Sequence, residues 1–199
     1  LALFPAGRGA VALGQSQPAY LRLVRSIPTD RLGLRHPAGL AFDTGTGAFL
    51  ALPAASEAAA ASLVAFSPLA DRLGATSLAG LDADRPNMAF DRARGRLVFY
   101  AGGDLVTLAR GGNGKFDPGT RRNFPAAALG LRKLQGMAID PSSGRLFLLD
   151  TSGHRLFRLT PDAQGGLDIV AAQRDGRLQR VDLPALGAGS VRSLAYSAA

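Results

Sequence analysis

Apolar residues in this chain come in short runs, and one run recurs with the same polar punctuation. It reads Gly39-Leu-Ala-Phe-Asp43, then Asn87-Met-Ala-Phe-Asp91, then Gly136-Met-Ala-Ile-Asp140, and fades into Ser193-Leu-Ala-Tyr-Ser197. After each Asp come three turn residues and a glycine (Gly47, Gly95, Gly144). A second apolar run follows: Ala48-Phe-Leu-Ala-Leu52, Arg96-Leu-Val-Phe-Tyr100 and Arg145-Leu-Phe-Leu-Leu149. Strand, tight turn and strand make a β-hairpin, because glycine supplies the left-handed backbone such a loop needs and an Asp side chain bonds the amides of its own turn. Each unit then predicts a third strand, at Ser62-Leu-Val-Ala-Phe66, Asp104-Leu-Val-Thr-Leu108 and His154-Arg-Leu-Phe-Arg-Leu159. A weaker fourth follows at Gly74-Ala-Thr-Ser-Leu78, Asn123-Phe-Pro-Ala126 and Leu178-Gln-Arg-Val-Asp182. The second strands are almost continuously apolar, which predicts burial on both faces, whereas the third strands alternate better and are expected further out.

Counted from Phe42, Phe90, Ile139 and Tyr196, the repeat intervals are 48, 49 and 57 residues. Periods of this size predict an all-β chain, a β-propeller of four-stranded antiparallel blades. The blades are expected near residues 37–80, 86–128 and 134–185, with an incomplete blade from 191–199 plus 1–28, all within one domain spanning 1–199. The longer last interval falls in the turn-rich stretches 160–168 and 174–177, which predict a lengthened outer hairpin and no helix. An inner strand is expected at residues 191–197 with no hairpin after it. Val11-Ala-Leu13 and residues 20–27 read as outer strands with no inner strand before them. Either the two ends complete each other in a closed four-bladed ring, or the chain is a fragment of a five- to seven-bladed propeller; the fragment is the expectation.

Length and composition fit this picture. At 199 residues the chain can build one substantial core. It is 47% hydrophobic with a mean hydropathy of +0.10, and no run of apolar residues is long enough to span a membrane. The opening Leu1-Ala-Leu-Phe-Pro5 lacks the basic segment of a signal peptide. With no cysteine there is no disulfide and no thiolate chemistry, and with two histidines there is little to hold zinc. The net charge of +8 is almost wholly arginine, since Lys115 and Lys133 are the only lysines. The arginines are scattered in ones and twos without interleaved aromatics, which disfavours nucleic acid as a partner and points to a solvated surface.

The phrases Pro37-Ala-Gly-Leu-Ala-Phe-Asp43, Pro86-Asn-Met-Ala-Phe-Asp91 and Leu134-Gln-Gly-Met-Ala-Ile-Asp140 each precede a glycine and an apolar strand. They resemble NHL-type repeats, as in bacterial-type NHL or TolB-like propellers. The closest copy is Gly144-Arg-Leu-Phe-Leu-Leu-Asp150-Thr-Ser-Gly-His154-Arg-Leu-Phe-Arg-Leu159. The resemblance covers residues 35 to 197 and departs from the pattern at Gly102-Gly-Asp104, where the polar residues after the second strand are shortened. It implies a propeller and an extracellular or periplasmic setting. For activity it implies a spread of binding scaffolds, protein-interaction modules, lactonases, lyases and phytase-like esterases.

Propeller geometry selects among the polar residues. The loops entering the inner strands and those between second and third strands share one face, at the mouth of the central channel; the Asp-to-Gly turns lie on the other. The binding residues expected at the mouth are Arg35, His36, Arg85, Asn87, Gln135 and Arg192, with Lys133 and Ser190 beside them. An enzyme would use His36 or His154 as general base, with Arg192 or Arg35 holding an oxyanion. No cofactor is expected, apart from a divalent cation such as calcium that Glu57, Asp104 and Asp150 could hold through oxygen. The spacing of Asp43, Asp91 and Asp140 has no dense carboxylate loop and reads as turn chemistry. Gly111-Gly-Asn-Gly114 lacks the strand-to-helix setting of a phosphate loop and reads as a plain loop. The expected function is a non-enzymatic binding or scaffolding module that presents this face to a protein or glycan partner, within a larger chain or assembly. The alternative is a hydrolase or lyase, lactonase or phytase-like, at the channel mouth.

Overall fold

The computed structural model describes residues 25–34, 36–53, 61–79, 86–131, 133–186 and 194–196. The repeated phrase closes its hairpin in the same way three times. Asp43, Asp91 and Asp140 are all buried, and their carboxylates accept hydrogen bonds from the turn that follows: Gly45 N at 2.8 Å, Arg94 N at 3.3 Å and Ser142 N at 2.9 Å. Gly47, Gly95 and Gly144 then reverse the chain with φ of 69°, 59° and 70°, a region glycine enters without steric cost.

From these hairpins grow three four-stranded antiparallel sheets, each in sequential strand order. The first contains β1 (Pro37–Asp43), β2 (Ala48–Pro53), β3 (Ala61–Phe66) and β4 (Arg72–Leu78). The second contains β5 (Asn87–Asp91), β6 (Arg96–Ala101), β7 (Asp104–Ala109) and β8 (Arg122–Pro125). The third contains β9 (Leu134–Ile139), β10 (Leu146–Asp150), β11 (Arg155–Leu159) and β12 (Leu178–Asp182). The inner strands stand side by side, β1 against β5 and β5 against β9. One apolar core fills the space between the first and second sheets around Leu50, Leu97 and Phe99. Another lies between the second and third, around Leu105, Leu146 and Leu148. Each fully buried Leu contributes roughly 2 kcal/mol by leaving water.

The contact between neighbouring inner strands follows one register. A side chain on Gly39 would come within 2.7 Å of Met88 Sδ, so the absent Cβ leaves the slot that Met88 of the next blade fills. Asn87 Nδ2 donates to Leu134 O at 3.0 Å across the next interface. Gly136 repeats the first arrangement, with a Cβ there meeting Leu194 Cβ at 2.8 Å. Leu194 thus occupies, against the third blade, the place Met88 occupies against the first, and Tyr196 stacks on Phe147 at 5.8 Å between ring centroids. Leu194–Tyr196 carries no strand of its own. The rest of the expected fourth inner strand, most of the N-terminal outer-strand material and therefore any closure of a ring lie outside the described residues.

Two expectations are corrected. The insertion in the third blade is not a plain hairpin: it contains a helix, α1 (Ile169–Arg174), capped by Asp168 Oδ1, which accepts from Ala171 N at 3.0 Å. Ile169 and Ala172, three apart, are buried in the second core, so the capping Asp and the helical spacing prevail over the turn-rich flanks. In the second blade the third strand does not alternate either. Leu105 to Leu108 are all buried, because Val106 and Leu108 face one inter-blade core while Leu105 faces the other.

Candidate functional site

The loops entering the inner strands and the loops after the second strands do share one end of the blades. In the third blade, Thr151 N donates to Lys133 O at 3.1 Å, which ties the β10–β11 loop to the residue before β9. Asp150 sits beneath, fully buried, and accepts from Lys133 N at 2.9 Å, Gly153 N at 3.1 Å and Arg155 Nη2 at 2.6 Å. This carboxylate organises the loop from below. His154 is exposed and left-handed at φ 50°; its N–H donates to Thr151 O at 3.4 Å and its carbonyl accepts from Leu183 N at 2.8 Å. Its backbone pins the loop, and its imidazole is presented to solvent.

The remaining predicted residues fall around this end. His36 and Gln135 are exposed, as is Lys133, and Asn87 is half-buried with its amide spent on Leu134 O. Asp104 is half-buried and accepts from Asn123 Nδ2 at 3.2 Å. Burial, then the charges of Asp104 and Asp150, push the Tyr100 phenol above its ordinary pKa, so the hydroxyl of the second blade lies within the field of both carboxylates. Arg35, Glu57, Arg85 and Arg192 lie outside the described residues, as does Ser190. Among the described residues no three His, Cys, Asp or Glu side chains converge as a metal site would require. No helix among them is long and apolar enough to cross a membrane.

The turn end carries features that were not anticipated. Arg110, just past β7, pairs with Asp43 of the first blade. Arg96 Nε donates to Asp91 at 3.0 Å, and a Cβ on Gly144 or Gly165 of the third blade would strike the Arg94 side chain. The Arg110–Asp43 pair therefore ties the second blade to the first, Arg96 serves the turn of its own blade, and Arg94 reaches the turn glycines of the third. The repeat phrase foretells the carboxylates but not their partners, because the arginines occupy non-equivalent places in the repeat.

Sequential four-stranded antiparallel sheets, packed face to face with their first strands side by side, are blades of a β-propeller. No family model matches the chain, and no curated protein matches it. Solved structures do. A protein of unknown function from Bacteroides thetaiotaomicron is 14% identical, with a TM-score of 0.49 over 80% of this chain and 42% of that one. The β-propeller domain of Cps50 (Swd1) from Myceliophteria thermophila is 10% identical, with a TM-score of 0.49 over 80% of this chain and 46% of that one. A candidate 6-phosphogluconolactonase from Bacteroides uniformis is 17% identical, with a TM-score of 0.46 over 65% and 40%. The chain spans less than half the length of each of these three proteins.

Proposed function

We propose that the chain is an NHL-repeat-like propeller module of bacterial type that binds without catalysing, presenting its loop end to a protein or glycan partner outside the cytoplasm. The observation that carries this reading is the commitment of Asp150. A cation site at the loop end would draw on that carboxylate, and it already accepts from two backbone amides and a guanidinium within its own blade. What faces outward at this end is a rim of exposed polar side chains, His36, Lys133, Gln135 and His154, suited to contact with a partner. The module is proposed as one domain, with the ring completed by residues beyond those described.

The test compares two variant sets in the purified chain. His36→Ala and His154→Ala are expected to leave folding intact and to cost no hydrolytic activity toward lactones or phosphoesters. Charge reversal of Arg35, Arg85 and Arg192 is expected to weaken capture of defined glycans or peptides on an array. That loss should shrink at high salt, as exposed charges are screened beyond about 8 Å at physiological ionic strength. Turnover of a lactone or phosphoester, abolished by either histidine change, would put the hydrolase reading first.

A further inference from the structure

The return from β7 to β8 makes an excursion that the sheet does not need. It leaves through a bridge between Arg110 and Phe116, with Gly111-Gly-Asn-Gly-Lys115 between them. Three bonds fold the loop: Gly111 N to Lys115 O at 2.8 Å, Gly114 N to Gly111 O at 3.0 Å, and Lys115 N to Asn113 Oδ1 at 3.0 Å. The N–H groups of Gly112 and Asn113 find no acceptor among the described residues. Nothing stands within 4 Å of where a Cβ would lie on Gly112 or Gly114, so the backbone is open to approach. Lys115 is exposed and makes no ion pair among the described residues.

This loop forms one wall of a cleft of about 480 Å³ between the first two blades; Thr76 and Ser77 of β4 form the other, and Asp117 lies at its edge. A smaller cavity of about 180 Å³ shares Thr76, Lys115 and Phe116 with it and reaches Arg110, whose Nε is buried without a partner. Successive free backbone donors beside an ammonium are the parts of an oxyanion receptor. Asp117 qualifies that. Its Oδ1 accepts from Gly119 N at 2.9 Å, leaving Oδ2 to repel a bare anion and to accept from a hydroxyl. Ser77 adds a second hydroxyl-binding group, and the cleft lies within the range of about 300–1,000 Å³ usual for small ligands.

We infer that the cleft between the first two blades binds a small sugar carrying an oxyanion, with phosphate or carboxylate against Gly112, Asn113 and Lys115 and hydroxyls against Asp117 and Ser77. The Gly111–Lys115 loop leaves its blade at the end away from the proposed partner face, and the site stands or falls separately from that face. Calorimetry and ¹H–¹⁵N spectra of the whole chain with glucose 6-phosphate, glucuronate, glucose and inorganic phosphate test it. At least one anionic sugar is expected to bind and to shift the amides of Gly112 and Asn113, with glucose leaving them in place. Lys115→Gln is expected to weaken that binding about tenfold, the loss of one charge-assisted hydrogen bond, without changing the melting temperature. Asn113→Pro, which removes a donor together with the Oδ1 that holds Lys115 N, should weaken it further than Lys115→Gln. Absence of amide shifts with both anionic sugars, or unchanged affinity in Lys115→Gln, would overturn the site. Equal affinity for inorganic phosphate and glucose 6-phosphate would overturn its assignment to a sugar.

Discussion

Arg110 of the second blade donates through Nη2 to the carboxylate of Asp43 in the first. Asp43 is fully buried and already serves its own turn through Gly45 N and Thr46. The guanidinium also lies over the rings of Phe90 and Phe116, 5.6 and 5.0 Å from their centroids. One side chain thus carries charge and a hydrogen bond across the blade interface while its cation–π contacts hold it within its own blade, and the apolar core lies behind it.

Removing Arg110 should therefore be costly. Arg110→Ala leaves a buried carboxylate uncompensated, and a loss of about 3 kcal/mol in urea unfolding is expected. Arg110→Met combined with Asp43→Asn should recover most of it, because the unpaired charge is gone. A loss below about 0.5 kcal/mol for Arg110→Ala alone would mean that the pair behaves as a solvent-screened surface bridge.

The turn glycines share a conformation but not their surroundings. Gly47→Ala meets only the backbone cost of a side chain at positive φ, about 1 kcal/mol, since nothing lies within 4 Å of its Cβ position. Gly144→Ala adds a collision with the Arg94 guanidinium of the neighbouring blade and should cost more. Equal melting temperatures for the two variants would show that Arg94 swings away freely.

Legibility in the sequence followed the repeat. The inner and second strands were readable because Asp and glycine punctuate them at fixed offsets, and the Asp turn chemistry followed from the same residues. Asp168 and the Ile169–Ala172 spacing were also present in the sequence, but six helical residues set among Gly, Asp and Gln are hidden by a turn reading. The arginine partners were not readable at all, because a contact between blades joins positions such as 43 and 110 that no local pattern links. Strand order alone brings the loops of Lys133 and His154 together, and they meet as that order requires, yet nothing in the sequence signals that Asp150 is engaged by its own loop.

Asp140 offers a pH test. Burial alone would raise its pKa, but hydrogen bonds from the hydroxyls and amides of Ser142 and Ser143 outweigh that and hold it down at about 2. A carboxyl depressed below its unfolded value of about 3.9 stabilises the fold above that pH and loses the contribution as pH falls toward 2. Asp140→Asn should accordingly flatten the decline in melting temperature between about pH 4 and pH 2 relative to the parent chain. An unchanged slope would assign the acid sensitivity to other carboxylates.

Leu40, Met88 and Met137 hold the same place in successive inner strands, and their exposures diverge: Met88 and Met137 are 6% and 8% exposed, Leu40 59%. Met88→Ala empties a slot against Gly39 and should cost about 2–4 kcal/mol. Leu40→Ala should cost no more than about 0.5 kcal/mol if its side chain stands in water as described. The comparison bears on architecture as well as stability. A Leu40→Ala loss approaching that of Met88→Ala in the same denaturation experiment would require another inner strand against β1, and the stacking that joins the three blades would then continue past the first.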